Sequence, residues 1–249
     1  MTGARRVNLE PAFLLHHYPW RDTSRILELM TRTHGRVSVF SRASRRSGST
    51  ATGGALQPFT ESLVSWSGRG EAGHLTSAER VRPPATLAGD RLLSGFYANE
   101  LLLKLLQRND PHPALFDAYA VLIERLYAPD HDPGRALRLF EKRLLDELGW
   151  GLNLEHEATS GEPLEPARSY RYGIEGGAEP VDGVAEGTLI FCGASLLSLA
   201  REELDDLRSL ADARRLLRAA LDRLLDVRPL RTREVALEMR AHAGKADGG

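Results

Sequence analysis

The fold turns on His34-Gly35-Arg36-Val37-Ser38-Val39-Phe40-Ser41-Arg42, continued by Ala43-Ser44-Arg45-Arg46 and, after a run of small residues, by Ala55-Leu56-Gln57-Pro58-Phe59. Gly35 to Phe40 alternates polar and apolar, the period of a half-buried strand. Residues 47–54 hold Ser, Thr, Ala and three Gly, which supply mobility and no core. Arg36 lies on the strand, and Arg42, Arg45 and Arg46 stand at the root of the loop. Cations placed this way can follow a phosphate backbone without reading sequence. A charge run between strands is equally often a solvated loop that keeps a sheet edge soluble. The flanking sequence has to decide.

Outward from this stretch, extended segments are predicted at Pro11 to Tyr18, Ser24 to Thr31, Leu56 to Trp66 and Gly73 to Val81, with Pro19 closing the first. Ser24 to Thr31 carries a pattern that a helix would also show. Five short strands with Gly-rich turns in about 80 residues suit a small closed barrel of the OB type. The groove of such a barrel is a common platform for single strands, with cations on the backbone and aromatics under the bases. Trp20, Phe40, Phe59 and Trp66 are the aromatics available, although each also suits core or rim packing. His16 and His17 are adjacent on a strand and so face opposite sides, which argues against one shared metal.

Charge supports the assignment. The chain of 249 residues carries a formal −1, but residues 1–88 hold 12 Arg and no Lys against 6 Asp and Glu, a balance of +6 that leaves −7 for the rest. The first domain is therefore expected to meet an anionic partner. Hydrophobic residues make up 42% of the chain, enough for a core. Neither a long apolar run nor a signal-like segment is present, so a soluble cytosolic protein with no membrane contact is expected. Cys192 is the single cysteine and reads as a small core hydrophobe.

Pro83-Pro84 is predicted to end a barrel domain at about residue 86. Beyond it, a helical domain is expected over 87–150. Its first helix is apolar nearly all round, its second has the stripe Leu115, Ala118, Leu122 and Leu126, and its third has Leu137, Phe140, Leu144 and Leu148. Asp132, Pro133 and Gly149 delimit that third helix. Arg138, Lys142 and Arg143 lie off its stripe. Residues 151–193 read as a small loop-rich lobe. Residues 194–249 read as amphipathic helices at 196–207 and 210–225, the second capped by Ser209, with a frayed tail from His242. Positions 214–233 hold Arg214, Arg215, Arg218, Arg223, Arg228, Arg231 and Arg233 against Asp222 and Asp226, a second basic region.

Catalytic signatures are missing. Gly48 and Gly53 have phosphate-loop spacing, but Gly54 stands where the lysine belongs. His156-Glu157 has no second His four residues after the first, and no Gly-x-Ser-x-Gly elbow occurs. Asp130-His131-Asp132 is better placed to cap a helix than to hold a metal. No enzyme and no cofactor are expected.

The ordered motifs resemble the RecO family of recombination mediators. They are Ala12-Phe13-Leu14-Leu15-His16, Tyr18-Pro19-Trp20-Arg21-Asp22-Thr23-Ser24, His34-Gly35-Arg36-Val37, Gly54-Ala55-Leu56-Gln57-Pro58-Phe59-Thr60 and Gly68-Arg69-Gly70-Glu71 in the first part. Gly95-Phe96-Tyr97-Ala98-Asn99-Glu100, Ala136-Leu137-Arg138-Leu139-Phe140-Glu141, Glu147-Leu148-Gly149-Trp150-Gly151, Ser160-Gly161-Glu162-Pro163 and Arg228-Pro229-Leu230-Arg231-Thr232-Arg233 follow. The likeness spans roughly residues 10 to 237.

It implies an α+β multidomain protein: an N-terminal OB-fold β-barrel, then an all-α domain with an inserted zinc-ribbon-like lobe. With Cys192 alone and His156-Glu157-Ala158 where cysteines would sit, the lobe is expected to lack metal ligands and to be held by packing alone. The resemblance further implies binding of single- and double-stranded DNA, annealing of complementary strands, and binding of the acidic C-terminal tail of single-stranded-DNA-binding protein. It also implies cooperation with RecR in loading RecA during gap repair, and a cytoplasmic, nucleoid-associated location. By motif, Arg138 with Leu139 maps to the tail-binding position. Arg36, Arg42, Arg45, Arg46, Arg214, Arg215 and Arg218 are the candidate DNA contacts. Two rival readings are an OB-fold RNA-binding factor and an enzyme using the lobe around His156 or Asp182.

Overall fold

A computed structural model of the chain describes residues 5–21, 24–42, 56–68, 72–82, 86–181, 189–226 and 229–246. β1 (Arg5–Trp20), β2 (Ser24–Thr31), β3 (Gly35–Arg42), β4 (Ser62–Gly68) and β5 (Ala72–Arg80) close into a barrel in the order β1-β2-β3-β5-β4. Its pairings are antiparallel except that of β3 with β5. This is the five-stranded arrangement of an OB-fold, as the sequence led us to expect.

β1 is longer than expected because it serves two ladders, Arg5 to Ala12 with β4 and Ala12 to Trp20 with β2. Neither proline ends it: Pro11 stands opposite Leu63 and Pro19 opposite Arg25. Register shifts between Val7 and Glu10 and between Leu14 and His16 bend it round the barrel. At the first, Leu9 takes a φ of 49°, and its displaced N–H donates to Ser65 Oγ at 3.0 Å.

Among the described residues six helices follow: α1 (Gly89–Leu105), α2 (Pro113–Tyr127), α3 (Pro133–Glu147), α4 (Gly193–Ala200), α5 (Leu207–Leu225) and α6 (Arg231–Ala246). The chain divides into two compact units. One joins the barrel to α1, α2 and, from Leu230 on, α6; the other spans Pro129 to Pro229. In this division α1 and α2 group with the barrel. The expected break at Pro83-Pro84 lies outside the described residues.

Burial explains the ambiguity of β2. It is covered on both faces from Leu27 to Thr31 and so lacks alternation. Leu27 and Leu29 fill the barrel with Val37, Val39, Val64 and Trp66. Met30 shares the outer face with its cross-strand partner Phe13, whose ring lies 5.3 Å from Phe116 and edge-on 5.0 Å from Tyr119 of α2.

Between these layers sits the buried amide of Asn99. Its Nδ2 donates to Leu15 O at 3.0 Å, and its Oδ1 accepts from the Tyr119 hydroxyl. Burial pushes that phenol far above its ordinary range. α1 is not buried all round: Phe96 is exposed. The segment expected as strand from Leu56 becomes one only at Ser62. Before it, Phe59 takes a φ of 63° and lays its ring on α1, where a Cβ on Gly95 would come within 2.8 Å.

α6 reaches Ala246, so residues 242–246 of the expected frayed tail are helical, while 247–249 lie outside the described residues. Glu100 of α1 anchors its start, accepting from Arg231 N at 2.9 Å, Thr232 N at 3.0 Å and Thr232 Oγ1 at 2.7 Å, with Lys104 Nζ at 3.2 Å. Burial alone would raise this carboxyl, but the donors from Thr232, Arg231 and Lys104 outweigh it and hold the group below its usual range.

In the second unit Asp132 caps α3 as expected, accepting Arg135 N–H at 2.6 Å, and Gly149 follows its end at a φ of 78°. α4 is shorter than expected. The cap of α5 is Asp206 rather than Ser209, and it accepts Ser209 N–H at 2.8 Å. The lobe contains a small sheet of β6 (Ser169–Gly173), β7 (Gly177–Pro180) and β8 (Ile190–Cys192) in the order β7-β6-β8. Packing alone does not hold it. Tyr170 O–H accepts from Glu165 N, Tyr172 O–H donates to Asn153 O, and buried Glu157 accepts from Ser160 Oγ at 2.7 Å and Arg168 at 3.2 Å. Among the described residues no cluster of three or more metal-ligating side chains occurs.

Glu100→Gln is expected to speed hydrogen exchange across 231–239 while leaving barrel amides protected. Because the folded carboxyl titrates below its ordinary value of 4.5, its anchoring is complete above that pH and fades as pH falls through the folded value. In acid, α6 should therefore lose protection before the barrel does. Protection of α6 that follows the barrel at every pH would contradict this anchor.

Candidate nucleic-acid interface

The outer face of β1, β2, β3 and β5 divides into a covered half and a bare half. Phe13 and Met30 lie under the helices. Farther along the same strands, register puts Tyr18 opposite Ile26, Ile26 opposite Phe40, and Phe40 opposite His74. Cross-strand partners share a face, so these four strands present one continuous row. Trp20 joins it 5.9 Å from Phe40, and His74 lies 5.5 Å from Phe40 on the other side. Trp20 is 44% exposed and Tyr18 47%. Buried aromatics are the rule, so exposed neighbours on one sheet face mark a surface for a flat apolar ligand.

Two of the four aromatics expected as stacking candidates belong here, Trp20 and Phe40. The other two do not. Trp66 fills the barrel interior, and Phe59 is buried on α1. Tyr18 and His74 escaped the sequence reading, Tyr18 because Pro19 was taken as a strand end. The period-two spacing of His16, Tyr18 and Trp20 was the available signal. His16 and His17 do lie near each other, with rings 6.0 Å apart. Burial, then the neighbouring His17, lower the His16 pKa against the opposing pull of Glu28.

The candidate arginines fall into different places. Arg42 is exposed at the end of β3, two residues past Phe40 and on its face. Arg45 and Arg46 lie outside the described residues. Arg36 is mostly covered and turns its guanidinium on Glu28, Nη1 to Oε2 at 3.2 Å. Glu28 is 2% exposed in its side chain and also accepts from Ser38 Oγ at 2.6 Å and Arg108 Nη2 at 2.6 Å. A buried carboxylate demands such donors, so Arg36 is first a structural cation.

The expected second basic region is divided between the two units. Arg214, Arg215 and Arg218 are exposed on α5, while Arg231 and Arg233 belong to α6 in the other unit. Arg228 lies outside the described residues. Arg215 Nη2 donates to Ile190 O and Asp212 Oδ1, each at 2.9 Å, with its guanidinium 4.7 Å from the Phe191 ring. Arg218 stands 3.7 Å from Asp222, and Arg233 lies over Tyr97. These contacts tie the α5 cations into a mixed-charge face.

Arg138 departs from expectation. α3 buries Ala136 through Glu141, so its core face is wider than a single stripe. The Arg138 side chain is 9% exposed and pairs with fully buried Glu141 at 3.0 Å; Leu139 beside it is buried. Lys142 and Arg143 lean instead on Glu202, at 3.4 and 2.8 Å. Asp182, the lobe residue of the rival enzyme reading, lies outside the described residues, and His156 is exposed. No helix among the described residues is long and apolar enough to cross a membrane.

Comparison with known proteins agrees with this architecture. The family model "Recombination protein O N terminal" matches residues 7–84, and "Recombination protein O C terminal" matches residues 87–234. Among similar proteins, the DNA repair protein RecO of Alkalilimnicola ehrlichii is 46% identical over 94% of this chain and 92% of its own length. That of Coxiella burnetii is 42% identical over 93% and 98%, and that of Aromatoleum aromaticum 39% over 96% and 99%. With a barrel of the expected topology and family matches across both of its parts, the chain belongs to the RecO family.

Proposed function

We propose that the protein is a non-catalytic DNA-repair mediator that holds DNA on the outer face of its barrel and recruits partners through its helices. The observation that carries this reading is the row of exposed Tyr18, Trp20 and His74 around half-buried Phe40, with Arg42 beside it. Unpaired bases have free π-faces and stack on such a row, whereas bases inside a duplex are already stacked on each other. Single strands are therefore held by stacking plus charge, and duplex by charge alone. A strand gripped along one edge keeps its pairing edges open, which supports annealing to a complement.

Trp20→Ala is expected to weaken binding of an oligothymidine by about 1–3 kcal/mol, the usual contribution of one stacked base, and to leave duplex affinity nearly unchanged. Fluorescence anisotropy with both probes reads this; equal losses would remove the stacking role. Replacing Arg42, Arg45 and Arg46 together by Ala should reduce the salt slope for duplex by up to about 2.7. An unchanged slope would exclude the β3 loop from the DNA path. The rival RNA-binding reading predicts tighter binding of a matched RNA and no annealing of DNA strands, so the same titrations with RNA decide it.

For partners, the reading is that α3 takes the acidic tail of single-stranded-DNA-binding protein, with Arg138 as the cation and Leu139 beside it, and that RecR joins the protein in loading RecA. A carboxylate-bearing tail needs a cation with apolar neighbours. Because Arg138 also neutralises Glu141, Arg138→Ala alone is expected to destabilise the protein by about 3–5 kcal/mol in urea unfolding. Replacing both charges, R138M with E141L, removes the cation without stranding the acid. This pair should keep the fold and DNA binding while losing affinity for a tail peptide. Undiminished peptide binding by the double variant would place the partner site elsewhere.

A further inference from the structure

We infer that Arg108, on the connection between α1 and α2, is a phosphate contact of the same barrel face, so that the DNA surface extends beyond the barrel strands. The inference rests on the stacking row proposed above and adds a residue that sequence reading placed in a separate helical domain.

The argument begins with Glu28. On β2 it follows Ile26 by two residues and so lies on the same outer face, about 7 Å along the strand from the residue that sits between Tyr18 and Phe40. Its buried carboxylate collects Arg36, Arg108 and the Ser38 hydroxyl. Two guanidinium groups against one carboxylate leave a single positive charge. Arg36 is 16% exposed and Arg108 49%, so the surplus charge faces outward at Arg108.

Its position is fixed from the backbone as well. Residues 108 and 36 form a parallel bridge, and Asn109 N–H donates to Arg36 O at 3.0 Å. The close crossing is enforced at Gly35, where φ is +67° and a Cβ would stand 2.1 Å from Asp110 O. A guanidinium already held by a carboxylate and a stitched backbone loses little freedom on meeting a phosphate. Along the outer face of β3 the order is Arg42, Phe40, Ser38, Arg36, with Arg108 beside the last. Six steps along the strand span about 20 Å, so this line along β3, which crosses the stacking row at Phe40 and passes buried Ser38, carries a cation at each end, a length suited to a few nucleotides of single strand.

The test is a salt titration of oligothymidine binding by the full chain and its variants. Arg108→Gln keeps an amide donor for Glu28 while removing the charge, and Arg108→Lys keeps the charge. R108Q is expected to weaken binding several-fold and to lower the slope of log affinity against log salt by about 0.7, while R108K holds the slope. Thermal unfolding of each variant reports the structural clip separately. A lowered Tm with an unchanged slope in R108Q would overturn the inference and leave Arg108 as a clip alone. If Trp20→Ala and Arg42→Ala weaken binding while R108Q does not, this inference fails and the stacking row stands. If the unaltered protein ignores oligothymidine in dilute buffer, both fall.

Discussion

A five-stranded barrel has one small interior, and every residue on its outer face must be either covered or wet. Here that constraint divides the outer face of β1 and β2. At one end Phe13 lies under α2 beside its buried partner Met30, with the Asn99 amide joining strand carbonyl to phenol between the layers. At the other end Tyr18 and Trp20 are left open. Glu28 marks the boundary, a carboxylate too buried to be solvated and answered by two arginines and a serine. The same strands thus serve as core on one stretch and as surface on the next.

The barrel was legible in sequence wherever burial is one-sided. β3 alternates because Val37 and Val39 face the interior while Arg36, Ser38 and Phe40 face out, and its limits were read within two residues. β2 was less legible because helices cover its outer face and erase the period. The extent of β1 was hidden by its prolines. A strand that changes partners and carries two bulges tolerates missing donors that a regular ladder would not. Asp132 and Gly149 announced α3 correctly, since capping is a local chemistry that needs no tertiary context.

The site was legible as charge more than as geometry. Composition located a basic first domain, yet it could not say that Arg36 would be turned on Glu28 or that Arg138 would be enclosed with Glu141. Both outcomes depend on which acid the fold brings near, information spread over distant positions. Trp20 and Phe40, singled out as aromatics, lie together on the outer face. Their separation from Trp66 and Phe59 needed the register and the bulges of β1. In the lobe, a short sheet, two buried tyrosines and the Glu157–Arg168 pair hold the chain. Hydrogen bonds to buried groups hold chain segments together there by means that leave no spaced motif to read.

The return of the chain at Leu230 carries a consequence for how the protein is made. α6 belongs with the barrel, α1 and α2, yet 101 residues of the other unit, Pro129 to Pro229, are translated before it. On the ribosome the barrel and its first two helices emerge early but wait for their last element, while the intervening unit has its entire sequence available sooner. Nascent chains arrested just before residue 230 would therefore expose the Glu100 side of α1 to solvent and to chaperones. Contacts of such long sequence separation also close slowly, so docking of this helix is placed late in the assembly of the molecule.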